Sequence, residues 1–551
     1  MSASDKKRLR KETSAQLLTE KQLQQQKEAK KLKAYTIAFV VAMILVVCVT
    51  LAVLCVRAVN NSGVYQKNTI AANVGDNQLN SVELGYYYAD QINSFYNEWY
   101  QTYSNYTDSY LQMMGLDTKK PLDEQIHDEE SGKTWAQYFL DAALEQAKND
   151  YALAAKAEAE GFTLPEEEKA TLANLLNNIE TYASLYGFSN AKQYLRASYG
   201  FGAEPESYGK YYERSLLASA YASAHHDGLT YDNAKIRDYE TDKIGEFNSY
   251  TYTSAYMSYT YFQQGGTKDE EGKVTYSDEE NAAARESMKE AAEKLATATS
   301  DEELEKMAKE IAVKEGSTIS VTKNENQLYT NLSTGVKEWL SSADRKDGDI
   351  AAIPNVTTTE NEDGTETEVT NGYYVVIFHG VNDNATAMGN VRHLLVNFEG
   401  GTENEETGET TYSDAEKAAA KEKAEGYLKT WQDGEKTEES FIALVKEHSD
   451  DSSAAEGGLF ENINRDSNYV ENFLNWSIDA TRKEGDVEII ETEYGYHIMY
   501  FVGNSELTYR DYMITNEMRD SDHEAWYNEI VDAVTATLAD TSKMDLDKVL
   551  S

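Results

Sequence analysis

Residues 495–503 read GYHIMYFVG, and residues 372–380 read GYYVVIFHG. Each stretch is mostly apolar and is bounded by glycines, which is typical of a buried strand. Upstream of each strand, an acidic loop leads into a Ser-x-x-Glu sequence that begins at Ser277 in one case and at Ser413 in the other. This spacing predicts a capping box that opens a helix. A unit of about 120 residues is too long for a solenoid repeat, so the sequence predicts two copies of one domain.

A second pair of matching stretches supports the duplication. Trp339 begins the sequence WLSSADRKDGD, and Trp476 begins the sequence WSIDATRKEGD. We therefore expect a first copy at 250–382 and a second copy at 388–504, each an α+β domain with a small antiparallel sheet and helices.

The composition excludes several classes of protein. The 551 residues carry 51 Lys and Arg against 96 Asp and Glu, a net charge of −45, which argues against a protein that binds nucleic acid. The apolar content of 40% is too high for a disordered chain, and the length predicts three or four domains. The two cysteines share one apolar run and the eight histidines lack metal-ligand spacing, so we expect no disulfide framework, no metal and no cofactor.

Residues 34–57 are predicted to form a transmembrane helix. The stretch 34–56 has 23 residues and no charge, and about 20 residues suffice to cross the hydrocarbon core of a bilayer. Residues 1–33 carry ten Lys and Arg against four Asp and Glu. The positive-inside rule therefore predicts a cytoplasmic basic tail at 1–33 and a single-pass cell-membrane protein whose acidic bulk is extracytoplasmic. A cleaved export signal stays open as the alternative, although RAVN at 57–60 is a poor cleavage site.

Helical patterns dominate the region between the membrane segment and the first copy. Apolar residues recur at spacings of three and four after Ser81, and residues 134–160 are rich in alanine. We expect a helical domain at 69–248. Residues 505–551 are predicted to contain a final helix that belongs to neither copy and returns to the helical domain. The overall fold class is therefore α+β.

Five short segments of the second copy follow one another in a characteristic order. They are VRHLLV at 391–396, the helix end and loop from Phe441 to Asp451, GGL at 457–459, YVENF at 469–473 and ETEYGYHI at 491–498. Together they resemble a parvulin domain, a peptidyl-prolyl cis/trans isomerase. The whole chain resembles the PrsA/SurA group of exported foldases, in which a helical chaperone domain is built from sequence on both sides of the parvulin modules.

The resemblance implies a set of catalytic residues. His393 and His497 are expected to face each other from adjacent strands, with Thr492 bonding one ring. Asp451 stands where the family has Cys or Asp, near the substrate carbonyl. A slot for the proline ring is also required, because catalysis needs an apolar pocket beside the twisting amide. We assign three side chains to this substrate-binding slot: Leu459, Tyr469 and Phe473.

The first copy lacks counterparts of the two histidines. Without gaps, His393 aligns with Ser258 and His497 aligns with Tyr374, so we expect a catalytically silent, parvulin-like domain at 250–382. Two functions remain open for the chain. One is a membrane-anchored extracytoplasmic foldase that isomerises X-Pro bonds in unfolded or nascent secreted polypeptides. The other is a holdase chaperone that keeps the fold for client binding with negligible isomerase activity.

Overall fold

The computed structural model describes residues 2–103, 109–241, 243, 245–268, 273–360, 365–403 and 407–546. Its contacts divide the chain into two compact units. The first unit combines Met1–Leu229 with Asp522–Ser551, and the second is Thr230–Ser521. Small antiparallel sheets and many helices make up both units, which confirms the α+β fold class.

The chain begins with a long helix, Ala3–Ser62. Its segment Lys30–Val59 is long and apolar enough to cross a membrane, and it is the one such segment among the described residues. The side chains that are described in this segment are exposed, so they make no protein core. This agrees with the predicted transmembrane helix in length and composition.

The rest of the first unit is a helical body with a small sheet. Its strands Asn77–Asn80, Ile70–Val74 and Ala536–Leu538 form an antiparallel sheet in that order. Its helices are Val64–Asn68, Ser81–Tyr103, Ser109–Met113, Trp135–Ala159, Glu166–Leu185, Ala191–Tyr199 and Pro205–Gly228. A capping box between Thr134 and Gln137 opens the helix that carries Trp135 into the core. A short strand pair, Ile126–Asp128 and Lys133–Thr134, precedes that helix.

The first copy forms a four-stranded antiparallel sheet. Its strand order is Val321–Leu328, Ser249–Ser258, Glu366–Asn382 and Ile350–Glu360. Three helices accompany the sheet: Asp278–Leu295, Asp301–Glu310 and Thr334–Leu340. The predicted capping box between Ser277 and Glu280 is present at the start of the first of these helices.

The second copy repeats this architecture. Its strands are β1 (Ala387–Asn397), β2 (Leu459–Ile463), β3 (Val487–Glu491) and β4 (Gly495–Thr508), in the order β2-β1-β4-β3. Its helices are α1 (Asp414–Asp433), α2 (Glu438–His448) and α3 (Glu471–Ser477). The capping box between Ser413 and Glu416 is confirmed.

The sheet of the second copy has a core on each face. On one face Leu394, Phe441 and Ile498 pack among the residues of α1 and α2. On the other face Val391 and Met499 pack against α3. Successive side chains of a strand point to opposite faces, so the sequence of β1 and β4 decides which residues meet α3. Both copies contain the same cation–π contact, with Arg345 over the ring of Trp339 and Arg482 over the ring of Trp476.

Two segments near the predicted domain limits show how the chain continues there. Residues 230–248 belong to the second unit, because Ile236 of the helix Asn233–Glu240 is buried against Ile514. Residues 505–508 continue strand β4, and the final helix begins only at Tyr509. This helix, Tyr509–Asp532, contributes residues to both units. The strand Ala536–Leu538 follows it within the range 505–551, where the sequence predicts helix.

Candidate functional site

Two buried imidazoles meet on the face of the second sheet that packs against α3. Leu395 of β1 pairs with His497 of β4, and His393 lies two residues earlier on the same face of β1. The Nδ1 atoms of His393 and His497 are 2.9 Å apart, and the two rings are nearly parallel with centroids 5.1 Å apart. Strand register therefore brings together two histidines that are 104 positions apart in the sequence.

A glycine turn fixes the backbone of His393. The His393 N–H donates to the carbonyl of Gly458 at 3.0 Å. Gly458 has φ +65°, and a Cβ at this position would lie 2.2 Å from the carbonyl oxygen of His393. Only glycine combines this left-handed conformation with so close an approach. The Gly457-Gly458 turn therefore lets β2 pack directly against the part of β1 that carries His393.

Thr492 holds the second ring. It follows β3, and its N–H donates to the carbonyl of Gly495 at 2.9 Å, which closes the turn into β4. Its hydroxyl Oγ1 lies 2.9 Å from Nε2 of His497. The turn thus places a hydroxyl on one side of His497 while His393 lies on the other.

Asp451 faces the first ring from the loop after α2. Its Oδ1 lies 3.5 Å from Nε2 of His393 and accepts hydrogen bonds from the N–H and the hydroxyl of Ser453. The neighbouring Asp450 anchors this loop to β1, since its N–H donates to the carbonyl of Leu395 and its Oδ2 accepts from the N–H of Asn397. The acidic loop is therefore attached to the same strand that carries His393.

These contacts set the charges of the site. Interaction with His393, followed by the bonds from Ser453, holds the pKa of Asp451 well below its ordinary value, so this carboxyl is ionised. Burial, together with the neighbouring His393, lowers the pKa of His497 to about 3. His497 is therefore a neutral imidazole at any working pH.

The ionised carboxylate of Asp451, the two rings and the hydroxyl of Thr492 follow one another across the site. Nε2 of His393 faces Oδ1 of Asp451 at 3.5 Å, the two Nδ1 atoms share one hydrogen bond, and Nε2 of His497 shares another with the hydroxyl of Thr492. The two hydrogen bonds hold the rings against each other and leave Nε2 of His393 directed at the carboxylate.

An open cleft of about 760 Å³ lies beside the imidazoles. Its apolar wall includes Tyr469 and Phe473, and Phe473 packs edge-on against both rings, with centroids 5.3 Å from His393 and 5.7 Å from His497. The structure thus brings two of the three predicted slot residues to the imidazole pair.

The assignment of Leu459 to the slot is wrong. Leu459 pairs with Arg392 and therefore points to the α1/α2 face, whereas Phe460 pairs with Val391 and points to the cleft. The Phe460 ring lies 5.1 Å from the ring of His393 and 5.6 Å from that of Tyr469. The alternation of side chains along β2 is the signal that would have identified Phe460.

The first copy has no imidazole at the equivalent positions, although one of those positions differs from the ungapped alignment. Tyr374 pairs with Tyr256 as His497 pairs with Leu395, so the counterpart of His393 is Ser254 rather than Ser258. The alignment failed because the first copy has an extra 3₁₀ turn, Tyr259–Phe262, between its first strand and its acidic loop.

The glycine turn is also missing from the first copy. Thr322, within the strand Val321–Leu328, stands opposite Ser254 where Gly458 stands beside His393. Tyr374 fills the neighbouring position with a ring that packs on Tyr256 at 4.7 Å. Regular strand pairing and aromatic packing thus replace the cleft-forming elements there.

Among the described residues, no group of three or more His, Cys, Asp or Glu side chains could hold a metal ion. The cleft itself presents an apolar wall, two imidazole rings, a hydroxyl and the ionised carboxylate of Asp451.

Comparison with known proteins identifies the second copy. Residues 393–503 match the family described as Rotamase: PPIC-type PPIASE domain, which confirms the parvulin-type peptidyl-prolyl isomerase domain implied by the sequence. The match includes both imidazoles, the glycine turn and Thr492. No curated protein matches the chain.

Several solved structures are similar to the chain. PrsA from Bacillus subtilis is 15% identical, with 73% of this chain and 86% of that chain covered and a TM-score of 0.23. The peptidylprolyl isomerase PrsA from Bacillus anthracis is 18% identical, with 27% of this chain and 59% of that chain covered and a TM-score of 0.16. A SurA-like chaperone of Campylobacter jejuni is 14% identical, with 40% of this chain and 71% of that chain covered and a TM-score of 0.13. Because every one of these TM-scores is below 0.5, the identification rests on the family match.

Proposed function

We propose that the second copy, a parvulin-type peptidyl-prolyl isomerase domain, gives this chain the activity of a membrane-anchored foldase for secreted proteins. In this proposal the cleft isomerises X-Pro bonds in unfolded or nascent polypeptides outside the cytoplasm. The observation that carries it is the pair of buried, hydrogen-bonded imidazoles beside an aromatic-walled cleft within the matched domain.

The reaction needs no covalent bond to break. An X-Pro bond rotates over a barrier of roughly 20 kcal/mol that comes from amide resonance, and it takes roughly tens of seconds to do so unaided. The catalyst must therefore bind the twisted amide better than either planar form. Tyr469, Phe460 and Phe473 provide an apolar seat for the proline ring, which removes the amide from water.

The polar side of the cleft favours the twisted amide. Resonance places partial negative charge on the carbonyl oxygen of a planar amide, and rotation reduces that charge. The ionised Asp451 opposes this negative charge, so it destabilises the planar forms more than the twisted one. His393, His497 and Thr492 keep the carboxylate and the rings in a fixed geometry, so the site needs no reorganisation during the rotation.

The anchor comes from the first helix. Its segment Lys30–Val59 has the length and composition of a membrane span, and the ten Lys and Arg of residues 1–33 precede the uncharged run 34–56. These features support a cytoplasmic N-terminus and an extracytoplasmic cleft. A foldase in this position would meet polypeptides as they leave the membrane, before they have folded.

The test is the rate of X-Pro isomerisation in a proline-containing peptide, measured with the full chain in detergent micelles. We expect His393→Ala and His497→Ala each to lower kcat/KM by about tenfold or more, because each removes a partner from the preorganised network. Two matched controls are His448→Ala, whose ring stacks on Tyr427 outside the cleft, and Tyr374→Ala in the first copy. Both controls should retain the wild-type rate.

Unchanged rates in both cleft variants would refute catalysis at this site. A wild-type chain without isomerase activity that still suppresses the aggregation of an unfolded client would instead establish the holdase function.

A further inference from the structure

The rim of the cleft is strongly acidic. The carboxylates of Asp450, Asp451 and Glu493 line it, and no Lys or Arg lies among the described lining residues. His393 and His497 also line the cleft, and the low pKa of His497 leaves that ring neutral. A peptide that enters therefore meets three carboxylates and no lysine or arginine.

The basic side chains closest in sequence to the lining residues are engaged away from the cleft. Arg392 points to the α1/α2 face, where it pairs with Glu438 and donates to the carbonyl of Gly457. Arg465 contacts Asp466 and the hydroxyl of Ser249. Asp451 faces His393, so the carboxylates of Asp450 and Glu493 are the ones left for a ligand to balance.

The geometry of an X-Pro peptide tells which of its residues meets this charge. The proline ring occupies the aromatic wall, so the carbonyl of the rotating bond lies towards His393 and Asp451. That carbonyl belongs to residue X. The side chain of X is attached to the Cα atom next to the carbonyl carbon. With the peptide in this pose, residue X would be the one that projects towards Asp450 and Glu493, which also line the cleft.

We propose that the cleft selects X-Pro bonds in which X is lysine or arginine. This inference rests on the proposed isomerase function and names its substrate class. The side chains of lysine and arginine are long enough to reach a rim carboxylate while the proline ring stays seated, and a glutamate at X would be repelled by the same carboxylates.

The experiment compares kcat/KM of the full chain in detergent micelles for peptides that differ only at X, with Lys, Leu and Glu. At low ionic strength we expect the order Lys, then Leu, then Glu, with about a tenfold ratio between Lys and Glu, the size of a few partly exposed charge interactions. Because these charges are open to solvent, 0.5 M NaCl should reduce the ratio to about twofold.

Variants of the rim residues test whether their carboxylates cause the difference between the Lys and Glu peptides. Glu493→Gln and Asp450→Asn should each lower the ratio between the Lys and Glu peptides, and Glu493→Lys should bring it to one or below. Glu435→Gln removes the same charge from an exposed position outside the cleft, so its ratio should equal that of the wild type. A ratio, measured within each variant, is independent of any general loss of folded protein.

The outcomes separate the inference from the function on which it rests. Equal rates for all three peptides would overturn the selectivity and leave the isomerase function intact. A Lys-over-Glu ratio that persists in the rim variants would also overturn it. Activity on none of the three peptides would overturn the isomerase function and the selectivity together.

Discussion

Burial of the His497 side chain links the stability of the second copy to pH. The unfolded chain has an ordinary histidine with a pKa of about 6.5, whereas the folded pKa is about 3. Between these values the unfolded state binds more protons than the folded state, so stability falls as pH decreases from about 6.5 towards 3. The slope is up to about 1.4 kcal/mol per pH unit for one such group.

We expect hydrogen exchange of the β4 amides in the full chain, corrected for intrinsic rates, to show this loss of protection between about pH 6.5 and 4.5. His497→Asn removes the titrating ring and should flatten the slope. Asp451 does not contribute in this range, because its folded pKa is lowered and its stabilisation is lost only below its unfolded value of about 3.9. An equally steep slope in the variant would contradict the assignment to His497.

Individual side chains also show where sequence reasoning succeeds and where it stops. The parvulin segments identified His393, His497, Thr492 and Asp451 as a group, and the structure places these four side chains in one network. Their catalytic role stays a prediction. Leu459 was misassigned because a motif fixes a position in the chain but not the face of a strand, and a shift of one residue exchanges the two faces.

The contact between β1 and β2 leads to a prediction about packing. Ala at position 458 would place its Cβ 2.2 Å from the His393 carbonyl, so the two strands must separate and His393 must move. Gly485 has a similar left-handed conformation, φ +85°, but a Cβ there would meet nothing within 4 Å. Gly485→Ala should therefore cost only the conformational strain of about 1–2 kcal/mol, and Gly458→Ala should cost more.

Two measurements on the full chain distinguish these variants. Hydrogen exchange of the β1 amides should show the larger loss of protection in Gly458→Ala, and the X-Pro rate should fall about tenfold or more in that variant because His393 leaves its network. Gly485→Ala should keep the X-Pro rate. Similar effects of the two substitutions would mean that strain, and not the close approach to His393, explains the glycine.

The duplication shows what patterns can predict about elements. The capping boxes predicted at Ser277 and Ser413 follow from local sequence, and the structure has both. The matching stretches that begin at Trp339 and Trp476 each form a cation–π contact in the structure. The equivalence of Ser254 and His393 does not follow, because one extra 3₁₀ turn shifts the alignment by four residues. Insertions between elements change register without changing the elements themselves.

For the chain as a whole, the limits of the compact units were harder to predict than its elements. The long helix Tyr509–Asp532 has one continuous pattern, yet its residues belong to both units. Ile236 joins the second unit because its apolar partner Ile514 comes from the other end of the sequence. Such long-range contacts leave no local signal, so sequence patterns alone do not show to which unit residues 230–248 belong.

The first helix leads to a prediction about location. A helix rises about 1.5 Å per residue, so the 23 uncharged residues at 34–56 reach about 35 Å, enough for a hydrocarbon core of about 30 Å. We expect the full chain to stay in the membrane fraction after alkaline extraction, and a chain without residues 1–59 to be released. The basic tail should fix the orientation, with residues 1–33 on the cytoplasmic side.

Protease added outside intact cells from which the wall has been removed should digest the second copy and leave a tag at the N-terminus protected. The contrary result is equally clear. If the mature protein has lost the tag and begins after residue 57, the apolar stretch is a cleaved export signal and the foldase is released. If the tag is digested and the second copy is protected, the cleft faces the cytoplasm and secreted proteins are not its substrates.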